Sequence, residues 1–125
     1  MSLVFRHCVF LLTFALLATP AVRSEPLSEE QLYDLACQAC HSLASAPDHR
    51  VGPPLRNLLN RKAASVEGYR YSEALLASEW VWTLATLTAW LSDPDTAIPN
   101  NAMNYVNPLT AEETQRLAAW LLQPQ

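Results

Sequence analysis

Cys37-Gln-Ala-Cys-His41 is the stretch that decides how this chain is built. A Cys-x-x-Cys-His run is the attachment signature of a c-type haem. Cysteines three positions apart project from one face of a helix, which suits the two vinyl groups on one porphyrin edge. The histidine that follows can place an imidazole nitrogen beneath the iron. We therefore predict one covalent haem c, joined through thioether bonds to Cys37 and Cys40, with His41 as an iron ligand.

Two other uses of a Cys-x-x-Cys pair fit this chain less well. A redox dithiol of the thioredoxin type is expected in a βαβ context, and a structural zinc site needs a second pair of cysteine or histidine ligands. The sequence offers neither of these. A chance or redox dithiol stays as the alternative to haem attachment.

The amino terminus predicts export. A basic region precedes the apolar run Cys8–Ala18, and small residues follow it. This order is that of a secretory signal peptide over residues 1–24, which leaves residues 25–125 as the mature domain. The run is shorter than the roughly 20 residues of a membrane span, so no stable membrane insertion is expected after cleavage. The predicted location is the periplasm, and an uncleaved, tilted anchor is the alternative.

Charge and composition limit the partners of the mature chain. Without residues 1–24, six basic residues remain against twelve acids, a net charge of −6. Nucleic acid is therefore not an expected partner. Cys37 and Cys40 are the only cysteines left, so no disulfide is expected. About 100 residues make one domain, and a buried haem would form much of its apolar interior.

Four candidate N-cap residues predict four helices. Ser28 and Thr110 are each followed three residues later by Gln or Glu, which is the capping-box pattern, and Ser72 and Thr83 can cap shorter helices. The helix after Ser28 is expected to carry the Cys-x-x-Cys-His run at its carboxyl end. Residues 42–71 contain proline and glycine and predict an ordered loop. No stretch alternates as a strand, so the predicted fold class is all-α.

These features resemble class I cytochrome c, in particular its small bacterial monohaem members, over essentially the whole mature chain. In that family the haem motif follows an amino-terminal helix, a Gly-Pro lies in the next loop, and a methionine near the carboxyl terminus binds the iron opposite the histidine. The matching residues here are Cys37–His41, Gly52-Pro53 and Met103. The resemblance implies amino- and carboxyl-terminal helices packed together around one covalently bound haem.

Met103 also suits the iron on chemical grounds. A thioether is neutral and soft, so it favours ferrous iron and raises the reduction potential. The only other methionine, Met1, belongs to the predicted signal peptide. Two alternatives are that Met103 only fills the core, and that His49, the one further histidine of the mature chain, binds the iron instead.

The resemblance extends to residues around the haem. Pro53 matches the loop proline whose carbonyl accepts a hydrogen bond from the proximal imidazole and fixes the ring orientation. Arg61, Tyr71 and Trp82 match family positions that bond the haem propionates, which need donors when they are buried. The alternative is that the two aromatic residues are ordinary core residues and that the arginine is a solvated charge.

Two departures from the family bear on the structure. Trp90 stands where a tyrosine is usual, and its indole offers an N–H in place of a hydroxyl near the methionine sulfur. Glu29 stands where the first helix usually has a glycine that lets the last helix cross closely. The reduction potential and the geometry of the helix crossing are therefore open at this point.

The resemblance implies a periplasmic electron carrier and not an enzyme. The iron would change between ferric and ferrous forms with both axial ligands in place. The partners would be a protein electron donor and a protein electron acceptor, and the chain would be a monomer or a subunit of a redox complex. Two alternatives remain: a dedicated haem subunit of a periplasmic dehydrogenase complex, and a haem enzyme or gas sensor with an open iron site.

Overall fold

The structure is a computed structural model that describes residues 25–44 and 48–124. The helices in these ranges are α1 (Glu29–Ala36), α2 (Glu73–Ala77), α3 (Leu84–Ser92), α4 (Pro94–Ala97) and α5 (Ala111–Leu121). The same ranges contain no β-strand, only an isolated antiparallel bridge between Lys62 and Val81. The all-α prediction is confirmed. The predicted signal peptide lies outside the described residues, and no described helix is long and apolar enough to cross a membrane.

Each of the four predicted N-caps starts a helix. The side chains of Ser28, Thr83 and Thr110 each accept the backbone N–H three residues ahead, and the side chain at that third position bonds back to the cap. Ser72 caps α2 through its hydroxyl alone. The two predicted capping boxes are confirmed. The capping box at Thr83 was not predicted, because the side chain that bonds back to the cap is Thr86 and not the Gln or Glu of the usual pattern.

The short helix α4 was not predicted. Asp93 accepts the N–H of Thr96 and caps this helix, and Pro94 occupies its first turn. A proline is tolerated at the first helical position because its missing N–H would have no partner there. The proline that ends α3 therefore also starts α4, and the segment that holds Met103 follows.

The core lies where α5 packs against both α1 and α3. Leu32 of α1 and Leu117 and Leu121 of α5 are fully buried, and Leu87 and Leu91 of α3 join them. Burying one such side chain contributes about 1.5–3 kcal/mol. The predicted packing of the amino-terminal helix against the carboxyl-terminal helix is confirmed.

Glu29 stands at the edge of this helix crossing and is bonded to α5. Its carboxylate accepts hydrogen bonds from Nε and Nη2 of Arg116 at 3.0 and 2.8 Å. Arg116 also donates to the carbonyl of Leu27 at 2.7 Å. The guanidinium holds the pKa of Glu29 below its usual value. A carboxylate at this position therefore links the two helices at their surface.

The Cys-x-x-Cys-His run lies just beyond α1, so the prediction that the helix itself carries the run was wrong. α1 ends at Ala36, and residues 37–40 form a turn. Carbonyl groups of this turn accept hydrogen bonds from residues of the next loop. Arg50 donates to the Gln38 carbonyl at 3.0 Å, and the Gly52 N–H donates to the Cys40 carbonyl at 2.8 Å. These contacts compete with a further helical turn.

Candidate haem-binding site

A cavity with mainly apolar walls lies beside the turn that follows α1. Its volume is about 230 Å³, whereas one water molecule needs roughly 10–15 Å³ on the same scale. The turn, the loop over residues 51–72, α3 and residues 101–105 all contribute to the walls. The cavity is therefore large enough for a sizeable ligand, and the surface it offers that ligand is mainly apolar.

The eight predicted site residues all line this one cavity, although they come from positions far apart in the sequence. They are Cys37, Cys40, His41, Pro53, Arg61, Tyr71, Trp82 and Met103. His49, the alternative ligand, does not line the cavity, and its ring packs near that of Tyr69 with 5.6 Å between the ring centres.

His41 is oriented through a hydrogen bond from its ring. Its Nδ1 lies 2.7 Å from the carbonyl oxygen of Pro53. A carbonyl can only accept, so Nδ1 carries the proton and Nε2 keeps a lone pair that can bind a metal. Burial lowers the pKa of His41, against a smaller opposing effect of the Pro53 bond. The imidazole is thereby held in the neutral form that serves as a ligand.

Gly52 makes this orientation possible because it has no side chain. A Cβ placed on Gly52 would overlap the ring of His41. The backbone at this position cannot easily withdraw, since its N–H is bonded to the Cys40 carbonyl. The Gly-Pro pair is visible in the sequence, but this steric role of its glycine was not predicted.

We expect Gly52→Ala to displace the His41 ring and break its bond to Pro53. Overpacking of this kind costs about 1–3 kcal/mol, so the free energy of unfolding should fall by that amount and the haem content per chain should fall with it. Gly68→Ala is the control, because Gly68 has a φ of 77° and its Cβ would meet His49 at 3.3 Å. In that variant the strained backbone lies at a site that does not contact His41. Wild-type haem content and stability in Gly52→Ala would contradict the steric role.

The two cysteines differ in their surroundings. Cys37 is buried and Cys40 is exposed, and both are free thiols at the edge of the cavity. Burial, with a further contribution from the neighbouring Cys40, raises the pKa of Cys37 to about 12. Two thiols three positions apart beside one apolar cavity match the requirement for two thioether bonds to a single haem.

Met103 is held through its backbone. Its N–H donates to the side-chain carbonyl of Asn101 at 2.7 Å, and the amide of Asn101 donates in turn to the carbonyls of Pro94 and Ile98, each at 3.0 Å. Asn101 therefore ties the methionine segment to α4. This role of Asn101 was not predicted, although an asparagine two residues before the bonded N–H is the signal of an Asx-turn.

Arg61 and Tyr71 test whether the cavity fits a haem. Nη1 of Arg61 donates to the Arg56 carbonyl at 2.7 Å, but its buried Nε has no hydrogen-bond partner in the described part of the chain. The hydroxyl of Tyr71 accepts the N–H of Val66, which leaves its own proton to donate. Burial raises the pKa of Tyr71, so that proton stays in place. Both residues line the cavity and have donors available, and a haem propionate supplies an anionic acceptor, so these residues fit the group.

Trp82 lies beside Arg61 because their backbones are paired. The N–H of Trp82 donates to the carbonyl of Arg61 at 2.9 Å, and the bridge between Lys62 and Val81 lies at the same place. The ring of Trp82 is 5.9 Å from that of Trp90, which also lines the cavity. Tryptophan at position 90 thus becomes part of the cavity wall.

An all-α domain whose terminal helices pack together, with a Cys-x-x-Cys-His run at the edge of an apolar cavity, has the features of a monohaem electron-transfer protein. The sequence model of the Cytochrome c family matches residues 30–125. The chain belongs to this family. It is 30% identical to cytochrome c2 from Blastochloris viridis over 119 residues. The aligned residues cover 94% of this chain and 93% of that protein. It is 34% identical over 85 residues to cytochrome c2 iso-2 from Magnetospirillum molischianum, covering 68% and 87%.

The structure is also similar to that of cytochrome cH from Methylobacterium extorquens. The TM-score is 0.66 at 30% sequence identity, over 74% of this chain and 92% of that one. The family binds one covalent haem c through its Cys-x-x-Cys-His motif, and its members carry electrons between redox proteins. The chain is thus a monohaem electron-transfer cytochrome and not an enzyme.

Proposed function

We propose that this chain is a periplasmic electron carrier in which His41 and Met103 are the axial ligands of the iron. The observation that carries the proposal is the bond from His41 Nδ1 to Pro53, which leaves Nε2 as a ligand in a cavity that Met103 also lines. Bound haem supplies an iron that can gain and lose one electron. Cys37 and Cys40 would hold it covalently.

The protein's part in electron transfer is to keep both ligands still. Pro53 fixes the imidazole of His41 through a bond of 2.7 Å, and Asn101 fixes the backbone of Met103 through another of 2.7 Å. Rigid ligands do not rearrange when the charge on the iron changes, which favours fast transfer. The neutral sulfur of Met103 and the apolar walls favour the ferrous form.

We assign the propionate contacts to Arg61, Tyr71 and Trp82. The unpartnered Nε of Arg61 and the available hydroxyl proton of Tyr71 support the first two assignments. Trp82 is assigned by its place on the same wall, where its backbone is paired with that of Arg61. Pairing of a propionate with Arg61 would offset the cost of burying both charges.

The export step is proposed from residues 1–24, whose sequence is that of a signal peptide. We expect the mature protein in the periplasmic fraction, beginning at Glu25, as a monomer that meets a protein donor and a protein acceptor in turn. Recovery of the intact chain in the membrane fraction would support the anchor alternative. Mass spectrometry of the purified protein decides between the two.

The function is tested by a redox titration of the exported holoprotein with carbon monoxide as a second probe. We expect one reversible single-electron step and no rapid binding of carbon monoxide by the ferrous form, because Met103 occupies the sixth position. Rapid binding would favour the open-site alternative. Copurification with an oxidoreductase at fixed stoichiometry would favour the dedicated-subunit alternative.

The charge of the mature protein predicts how salt affects docking. A net charge of −6 repels a strongly acidic redox partner, so stopped-flow electron transfer with such a partner should become faster as ionic strength rises. The charged residues that line the cavity are basic, namely Arg61, Lys62 and Arg70. Lys62→Gln should leave the direction of the salt effect unchanged. Rates that fall steeply with salt in the wild type would show that these basic residues override the net charge.

A further inference from the structure

We infer that Tyr33 is a positioning residue for the axial histidine, an inference that rests on the proposed function. The phenol O–H of Tyr33 donates to the backbone carbonyl of His41 at 2.8 Å. Tyr33 lies in α1, is only 8% exposed, and does not line the cavity. A phenylalanine would fill the same space between the helices, so the hydroxyl is the group with a specific role.

In the described part of the chain, the donors to the His41 carbonyl are side chains. Besides Tyr33, Nη1 of Arg50 lies 3.5 Å from it and donates more closely to the Gln38 carbonyl, at 3.0 Å. Tyr33 is therefore the shorter and more buried of the two contacts. The position of this carbonyl is set from α1.

The other end of His41 is held by a different part of the chain. Its ring is bonded to Pro53 at 2.7 Å and lies against Gly52, where no side chain could fit. The backbone of His41 is held by two bonds, one from its own N–H to the Cys37 carbonyl at 2.9 Å and one from the Tyr33 hydroxyl to its carbonyl at 2.8 Å. The second bond comes from a side chain of α1, so α1 and the loop hold the ligand from opposite ends.

Tyr33 also connects this ligand to the packing of the terminal helices. Its ring lies 6.0 Å from that of Trp120 in α5, centre to centre. One side chain thus contacts the helix crossing with its ring and the axial histidine residue with its hydroxyl. The hydroxyl can be removed while the ring is kept, which makes the two contacts separable by experiment.

Tyr33→Phe tests the inference, with the reduction potential and the hyperfine-shifted proton signals of the ferric protein as readouts. Without the O–H dipole, the His41 carbonyl leaves a more negative potential near the iron, which stabilises the ferric form. We expect the reduction potential to fall and the signals of the axial histidine and of the haem methyl groups to move, since the imidazole plane turns.

Arg116→Gln is the matched control, because it removes bonds to Glu29 and Leu27 at the same helix crossing without touching His41. It should lower the unfolding temperature and leave the potential and the signals at their wild-type values. Unchanged potential and signals in Tyr33→Phe, or an equal change in Arg116→Gln, would overturn the inference. A wild-type spectrum without axial-histidine signals would overturn the proposed function itself, which keeps the two failures distinct.

Discussion

Replacing both Cys37 and Cys40 with alanine is expected to abolish covalent haem attachment. Each sulfur provides one thioether bond, so the double variant retains only the axial ligands and apolar contacts to hold the group. Haem should then be removed completely by acid–acetone extraction, and haem stain of the denatured protein should be absent. Cys40→Ala alone should keep at most one thioether. Covalent haem at wild-type yield in the double variant would refute the assignment of the attachment site.

The double variant should also be much less stable. In molecules that lose this non-covalently held haem, Arg61 keeps a buried nitrogen that lacks an acceptor, and the cavity walls formed by Leu87, Leu91 and Trp82 lose the group they pack against. An unsatisfied buried donor alone costs about 1–3 kcal/mol. A domain of this size is stable by about 5–15 kcal/mol, so we expect these losses to lower the unfolding temperature measured by circular dichroism well below that of the wild-type holoprotein.

Met103→Leu is expected to have the second largest effect. Leucine has nearly the same volume, so a residue that only fills the core should tolerate the change at a cost below about 1.5 kcal/mol. If the sulfur binds the iron, the change instead opens the sixth position. The ferrous protein should then bind carbon monoxide rapidly, and the reduction potential should fall because the soft ligand that favours ferrous iron is lost.

Asn101→Ala serves as the control for Met103→Leu. It removes the 2.7 Å bond to the Met103 N–H but leaves the sulfur in the chain. We expect slower and weaker binding of carbon monoxide than in Met103→Leu, and a smaller change in potential. A Met103→Leu protein that does not bind carbon monoxide and keeps the wild-type reduction potential would show that Met103 is a core residue.

Local signals in the sequence were enough to predict most helices. A hydroxyl side chain at an N-cap acts within three residues, so Ser28, Ser72, Thr83 and Thr110 could be recognised without knowing the fold. The haem motif is equally local. The terminal helix packing followed only from the family resemblance, because α1 and α5 are separated by most of the chain.

Features that depend on distant contacts were missed or misplaced. The turn that follows α1 is bonded by Arg50 and Gly52, which come from another loop. The bond from Tyr33 to His41 depends on how that turn folds back on the helix. The pairing of Glu29 with Arg116 joins the two ends of the domain. None of these contacts leaves a pattern of spacing that a sequence alone displays.

Proton NMR of the ferrous holoprotein tests the central claim, which is ligation of one haem iron by His41 and Met103. A methionine bound over the centre of the haem has its methyl protons shifted far upfield by the ring current of the macrocycle. We predict one such methyl signal in the wild type, assigned to Met103 by its loss in Met103→Leu, in a diamagnetic low-spin spectrum. A methionine methyl signal at its ordinary position, or the broad paramagnetic signals of high-spin ferrous iron, would contradict the claim.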